Sequence, residues 1–339
     1  MSQITLLAKP SEVNMQDSAV AYDLIGDVHG HADMLEALLR KLGYSPEGRG
    51  YRPPHGRRLV LLGDLIDRGP GQLRVLEIAR SMVEERTALC VMGNHEFNAI
   101  AYVTPDPRNP EECYRVNRGD SAKAASNRRQ HAAFLAQIGE GTPAHKEWVD
   151  WFRTLPVWLD LGGLRAVHGC WDDHAIEALS LAGWKPGVAL DDEILHRVSH
   201  EPEEAPTGAL AARKLLTCGV EISLPEDVRI TKDGHSFDTL RIASWRHWAT
   251  TLDEVALVPG GNREVLRHLD WPTWLLMTEV SGSPVFLGHH WFTGHPVIES
   301  PKIAVLDWSA AGGGKLVAYR WDGEDTLSND KLMWVEAAG

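Results

Sequence analysis

Five short stretches of this 339-residue chain set glycine beside a carboxylate, an amide or an imidazole. They read Gly26-Asp27-Val28-His29-Gly30, Gly63-Asp64-Leu65-Ile66-Asp67-Arg68-Gly69, Gly93-Asn94-His95-Glu96, Val167-His168-Gly169 and Leu287-Gly288-His289-His290. Asp27 and His29 stand two apart, so on an extended backbone they point the same way and can converge on one point. Asp27, His29, Asp64, Asn94, His168 and His289 together offer carboxylate, amide oxygen and imidazole without a thiolate. That donor set suits Mn²⁺, Fe or Zn²⁺ in five- or six-coordinate sites. Six donors exceed one ordinary centre and fit two ions sharing one carboxylate, with Asp64 the natural bridge.

Such a pair of ions has a definite chemistry. Two metals about 3.5–4 Å apart clamp two phosphate oxygens, neutralise their charge and lower the pKa of a bridging water, supplying hydroxide without a protein base. In-line attack still needs a proton for the departing oxygen. A histidine beside an ionised carboxylate keeps its proton more readily, and Arg68 offers a planar fork for phosphate. Taken singly, each Gly-Asp or Gly-Asn pair reads as a strand-end turn that caps the next helix; it is their joint recurrence that points to a site.

The elements that must position these residues are legible in the first hundred positions. AYDLIGD (21–27) reads as a buried strand, followed by Met34, Leu35, Leu38, Leu39 and Leu42 at helical spacing and a stop at Gly43. RLVLLGD (58–64) and TALCVMGN (87–94) are further strands, with a helix between them marked by Leu73, Leu76, Ala79 and Val83. This β-α-β-α-β order predicts a parallel sheet with right-handed crossovers. Its strands end in Gly-Asp, Gly-Asp and Gly-Asn, where open α/β sheets bind ligands. LRAVHG (164–169) is a later strand. PVFLGHH (284–290), KIAVLDW (302–308) and KLVAYRWD (315–322) read as strands of a second sheet, the last two joined by the AAGGG turn (310–314). Between these lie a polar, Pro-rich loop followed by helices (about 103–147) and a weakly patterned helical or mixed insertion (about 172–270). Both are expected to cover the site. Residues 1–20 read as a loosely ordered leader and 21–339 as one domain.

The ordered set GDxHG, GDxxDRG and GNHE, completed by Val167-His168-Gly169 and Gly288-His289, closely resembles the calcineurin-like metallophosphoesterases, in particular their phosphoprotein phosphatase branch. The motifs span residues 26 to 290, most of the chain. The resemblance implies an α/β fold, a four-layer α/β/β/α sandwich of two mixed sheets. It implies that Asp27 and His29 bind a first metal, that Asp64 bridges, and that Asn94, His168 and His289 hold the second. Related sequences place the last ligand directly after the glycine, which selects His289 over His290; Trp291 stands where some branches carry another histidine. His95 would protonate the leaving group with support from Asp67, and Arg68 and Asn94 would contact phosphate. Family members supply a further phosphate-binding arginine in the region of Arg241 and Arg246, and Arg246 is taken here as a substrate contact. Two divalent ions are implied, Mn²⁺ first and Fe, Zn²⁺ or Ni²⁺ as alternatives. Bacterial relatives include symmetrical diadenosine tetraphosphate hydrolases and serine/threonine phosphatases of broad tolerance.

Bulk properties narrow the choice. A formal net charge of −13 argues against broad nucleic-acid backbone binding, although a metal-lined pocket can be locally positive. No apolar run reaches a membrane span, and the N-terminus carries no basic n-region or long apolar segment, so a cytoplasmic location is expected. The four cysteines (Cys90, Cys113, Cys170, Cys218) are scattered, which fits a reducing compartment. All 13 tryptophans lie between Trp148 and Trp334. Most are expected to pack the second half, and Trp171, Trp245, Trp248 or Trp291 could wall the metals and stack on a nucleobase. Phosphorylated small molecules and phosphoproteins stand side by side as substrates, with the covered pocket favouring a nucleotide. An inactive binding domain would be expected to lack a ligand or the acid histidine, and all are present. A redox dimetal protein would need an electron-transfer motif that the chain does not display.

Overall fold

The computed structural model describes residues 21–200, 208–226, 228–232, 235–257, 264–272, 277 and 280–337; the expected leader, 1–20, lies outside them. The chain runs β1 (Ala21–Ile25), α1 (Ala32–Lys41), a hairpin of β2 (Ser45–Glu47) and β3 (Gly50–Arg52), β4 (Arg57–Leu61), α2 (Gln72–Glu84), β5 (Ala88–Cys90) and α3 (Asn94–Val103). A second hairpin, β6 (Pro105–Asp106) and β7 (Asn109–Cys113), leads to α4 (Ala122–Ile138) and α5 (Pro143–Phe152). Strands β8 (Trp158–Asp160) and β9 (Arg165–Val167) precede α6 (Asp173–Leu181), α7 (Asp192–Ser199) and α8 (Ala209–Cys218). Next come β10 (Val220–Ser223), β11 (Ile230–Lys232), β12 (His235–Phe237), β13 (Thr239–Ile242) and the short α9 (Leu252–Val255). After these come β14 (Val285–Leu287), β15 (Ile303–Val305), β16 (Asp307–Trp308), β17 (Lys315–Trp321) and β18 (Leu332–Glu336).

Two sheets build the centre. The first has the order β16-β17-β1-β4-β5 with β18 on β17, and the second β15-β14-β9-β8. β1, β4 and β5 run parallel, as do β9, β14 and β15. Alternate residues of each strand enter different apolar clusters, as the two-residue period of a strand requires. Leu24, Val60, Ala166, Phe286, Ala304, Val317 and Tyr319 fill the space between the sheets. Ile25, Leu59, Leu61, Val167, Val285, Leu287 and Ala318 face outward into a cluster shared with Leu35, Leu38 and Leu39 of α1 and Val75, Leu76 and Ala79 of α2. The result is the expected α/β sandwich with helices outside two sheets. A third, separate cluster gathers Ile222, Ile230, Leu240, Ile242, Val255 and Leu266 within the long insertion.

Three features differ from expectation. KLVAYRWD and the DW of KIAVLDW belong to the first sheet: β17 pairs antiparallel with β1, Leu24 opposite Tyr319. The register brings Arg320 opposite Asp23, and the fully buried Asp23 carboxylate accepts from Nε of both Arg320 (2.9 Å) and Arg57 (3.0 Å). That long-range ion pair ties β17 to β1 and β4, and no local pattern announces it. The polar stretch after α3 contains the β6–β7 hairpin, which is largely exposed and carries Pro105 and Pro110, so neither alternation nor β-propensity marks it. The β2–β3 hairpin, β8 and β18 are likewise too short or too mixed in burial to be read locally.

Candidate metal centre

The strand ends deliver the polar residues to one place. Asp27 follows β1, Asp64 follows β4, Asn94 follows β5, His168 follows β9 and His289 follows β14, each at the carboxyl end of a parallel strand. The backbone is bent to achieve this. Of seven non-glycine residues with positive φ among those described, five are His29 (46°), Asp64 (49°), Asp67 (69°), Arg68 (70°) and His289 (62°). Non-glycine residues in this region are strained and cluster where function over-determines the backbone. The glycines beside them permit close approach. A Cβ on Gly93 would fall 2.2 Å from Asp64 Oδ1, and one on Gly288 2.4 Å from Asp27 Oδ1.

Asp64 sits at the hub. Its Oδ1 accepts the backbone N–H of His95 at 2.9 Å, which leaves Oδ2 facing Nε2 of His168 (3.3 Å), His29 (3.7 Å) and His95 (3.8 Å). The histidines are oriented from behind: Nδ1 of His29 donates to Ile66 O (2.8 Å) and Nδ1 of His168 to Leu62 O (2.6 Å). Each such bond leaves Nε2 aimed inward, the arrangement that fixes metal-ligating imidazoles. Asn94 Oδ1 lies 3.2 Å from His168 Nε2. Nε2 of His289 is buried with no hydrogen-bond partner among the described residues. An orphaned buried nitrogen is costly unless it meets a ligand. The donor atoms form two groups sharing Asp64, namely His29, Asp64 and His95, and Asp64, His168 and His289, so the residues present fit divalent metal. Asp27 takes a different position from the first of these groups, its carboxylate accepting the His289 amide N–H at 3.1 and 3.2 Å.

His290 turns away. Its Nε2 donates to Gly169 O at 2.8 Å and its ring packs on Trp245. Glu96 holds loops, accepting from the amides of Asp64 (2.9 Å), Leu65 (2.8 Å) and Gly93 (2.9 Å). His95 and Asp67 form the expected pair, with Nδ1 to Oδ2 at 2.5 Å.

Electrostatics follow from this packing. Burial pulls His168 down, but the Asp64 and Asp27 carboxylates overcome it and hold the imidazole up at about 10. Burial likewise opposes the charge on His95, and Asp64 with Asp67 nevertheless raises its pKa. His29 is pushed down to about 3 by burial and by His95. Burial works to raise Asp67, yet His131 and His95 bring it to about 2. Asp27 is raised well above the carboxylate range by burial and by Asp307.

The two arginines separate. Arg246 is engaged by Glu299 and by Glu254 O, whereas Arg241 Nη1 donates to His289 O at 3.1 Å and its guanidinium lies 4.9 Å over the Trp291 ring. Arg68 is exposed. Trp171 and Trp245 are buried, while Trp248 and Trp291 are 65% and 37% exposed.

Three residues emerge that sequence reading passed over. His131 of α4 is buried and contacts Asp67 Oδ1 through Nδ1 at 2.8 Å. Its neighbour Gln130 brings its amide nitrogen to 3.2 Å from His95 Nε2. No glycine flanks either one, and their Ala/Arg/Gln-rich setting carries no signal. Asp307, buried beside Asp27, did carry one: it ends the apolar run IAVL directly, where Asp64 ends LVLL after Gly63.

The chain belongs to the calcineurin-like phosphoesterase family, whose model matches residues 22–238. It is 49% identical over 74 residues to the asymmetrical bis(5'-nucleosyl)-tetraphosphatase PrpE of Halalkalibacterium halodurans, covering 22% of this chain and 30% of that one. With a symmetrical bis(5'-nucleosyl)-tetraphosphatase of Aromatoleum aromaticum it shares 31% over 185 residues, 53% of each chain. The chain thus spans about half or less of the length of these relatives. Among solved structures, the cold-active protein-tyrosine phosphatase of a psychrophilic Shewanella aligns over 92% of this chain and 81% of that one, at 15% identity and a TM-score of 0.46. No helix among the described residues is long and apolar enough to cross a membrane.

Proposed function

We propose that this chain is a metal-dependent hydrolase of phosphate esters or phosphoanhydrides, with dinucleoside polyphosphates as its leading substrate class and the cytoplasm as its place of action. The observation that carries this reading is the single oxygen Asp64 Oδ2, faced by Nε2 of His168, His29 and His95 within 3.8 Å. In this reading Asp27, His29 and Asp64 hold one divalent ion and Asp64, Asn94, His168 and His289 a second, Mn²⁺ in preference to Fe, Zn²⁺ or Ni²⁺. Bound there, two such ions supply charge neutralisation for phosphate oxygens and an activated water.

The remaining work falls to protein groups. Net hydrolysis places the oxygen of water on phosphorus and breaks the bond to the leaving oxygen, which needs a proton. His95, whose pKa Asp64 and Asp67 raise against burial, would give that proton from Nε2, with Asp67 fixing the ring through Nδ1. Arg68 and Asn94 would hold phosphate oxygens. Trp291, half-exposed and two residues after His289, offers an aromatic surface for a base; this and the names of the relatives support the nucleotide class. The two insertions, through Gln130 and Arg241, are read as partial covers. Arg246 stays a candidate substrate contact only if Glu299 releases it.

The test is a screen of metal-stripped and Mn²⁺-reloaded protein on dinucleoside polyphosphates, mononucleotides, phosphodiesters and phosphopeptides. Expected are no turnover after stripping, recovery with Mn²⁺ and the highest kcat/KM on a dinucleoside polyphosphate. A preference for phosphopeptides would reassign the substrate to the protein-phosphatase class. Full activity after verified metal removal would overturn the mechanism.

A further inference from the structure

Away from the centre, Asp106 of β6, His196 of α7 and His200, the residue capping α7, bring one potential ligand atom each to within 4.8 Å of the others. His196 and His200 are four apart and so share a helix face. The cluster repeats the geometry of the catalytic histidines. The His196 and His200 ring centres are 5.0 Å apart at 61°, against 5.1 Å and 66° for His168 and His289. Two imidazoles on one tetrahedral ion, with metal–nitrogen bonds of about 2.0–2.1 Å, hold their ring centres about 5 Å apart. The carboxylate also matches, with His200 Nε2 3.1 Å from Asp106 Oδ1 where His168 Nε2 is 3.3 Å from Asp64 Oδ2.

Two further features are consistent with a bound cation. Tyr114 Oη lies 2.9 Å from His196 Nδ1; with Nδ1–H donating to that oxygen, Nε2 keeps its lone pair, as an outer partner does for a ligating histidine. The cluster also lies at the C-terminal end of α7, the negative end of the helix dipole. Asp106 Oδ1 additionally accepts the Arg108 amide N–H at 2.9 Å, which fixes the carboxylate. His200 and Asp106 are partly exposed, at 20% and 16%, so water can complete the coordination.

We propose that Asp106, His196 and His200 form a third divalent-metal site, of Zn²⁺ type, that ties the β6–β7 hairpin to α7 independently of the catalytic centre. Two imidazoles, one carboxylate and open positions are a borderline N/O donor set. An ion there would join segments some ninety residues apart and restrain both insertions.

The experiment is a Zn²⁺ titration of metal-stripped full-length chain, with bound metal counted after desalting. Expected are three equivalents in the unaltered chain and two in His196→Ala/His200→Ala, with Mn²⁺-dependent phosphatase activity of the double variant within about twofold of the parent. In a His29→Ala/His168→Ala/His289→Ala chain, which lacks the imidazole ligands of both catalytic ions, an equivalent should persist and vanish on adding Asp106→Asn; Asp106→Asn keeps the shape of the side chain. Equal Zn²⁺ counts with and without the His196/His200 pair, or no effect of Asp106→Asn on the persisting equivalent, would overturn the proposal, whatever the activity screen returns.

Discussion

His131 Nδ1 lies 2.8 Å from Asp67 Oδ1, while the other oxygen of the same carboxylate holds His95 at 2.5 Å. Asp67 is thus clamped between two imidazoles from α3 and α4, and neither its position nor its charge depends on His95 alone. His131→Ala should leave metal content unchanged and lower kcat about 10- to 100-fold, the range found for outer hydrogen-bond partners of site residues. The loss should be greatest on substrates with poor leaving groups, because the acid is what is misplaced. His131→Gln, which keeps a donor, should recover part of it. An equal loss on p-nitrophenyl phosphate and on an alkyl phosphate would indicate a merely structural role.

His95→Asn removes the proposed acid itself. Its expected cost is about 10²–10⁴-fold on poor leaving groups, with both metal equivalents retained. Comparing it with the His131 variant across a series of leaving groups separates the acid from the residue that positions its partner: the slope against leaving-group pKa should be steepest in His95→Asn.

Gly288→Ala tests the close approach behind His289. The added methyl would lie 2.4 Å from Asp27 Oδ1 and 2.9 Å from His168 Nδ1, both held by hydrogen bonds and so unable to give way cheaply. The variant should fold, judged by circular dichroism, yet bind at least one metal equivalent fewer than the parent. Wild-type stoichiometry would show that the loop yields after all.

The candidate centre was legible in the sequence because its signal is local: a polar residue beside a glycine at the end of an apolar run. Asp27, Asp64, Asn94, His168 and His289 all show that pattern. His131, Gln130 and Arg241 do not, since they enter from insertions whose packing is decided by tertiary contact. The same contrast governs the fold. The β1-α1-β4-α2-β5 core was readable from short apolar runs and a 3.6-residue period, whereas the pairing of KLVAYRW with β1 is a long-range contact, with Arg320 meeting Asp23 from 297 positions away. Positive φ at five site residues has no direct sequence signature, because none of the five is a glycine, although His29, Asp64, Arg68 and His289 each stand next to one.

That Asp23 pair makes a stability prediction. Asp23→Ala leaves the Arg57 and Arg320 guanidinium groups facing each other across a buried position. Removing one partner of a buried ion pair costs roughly 3–5 kcal/mol, reduced here to about 3 because the Arg320 side chain is 30% exposed. Urea unfolding of the metal-stripped chain should show this as a lower midpoint with unchanged slope. A loss below about 1 kcal/mol would mean that water already satisfies both arginines.

His168 links metal binding to pH. In the metal-free chain its pKa is held up at about 10 by Asp64 and Asp27 against burial, so at pH 7 to 8 the imidazole carries a proton. A histidine ligates only when neutral, so metal uptake must expel that proton. Affinity should therefore rise with pH, by about tenfold per unit while one proton is released, and level off above about 10. Calorimetric titration in buffers of different ionisation enthalpy would read the proton directly. The sign for stability is opposite. A pKa raised from 6.5 to about 10 stabilises the metal-free fold fully below pH 6.5, and that contribution is lost as pH rises toward 10. The melting temperature of stripped protein should fall across that window, while that of metal-loaded protein, whose His168 is already neutral, should not follow it. Parallel curves for the two forms would remove His168 from the ligand set.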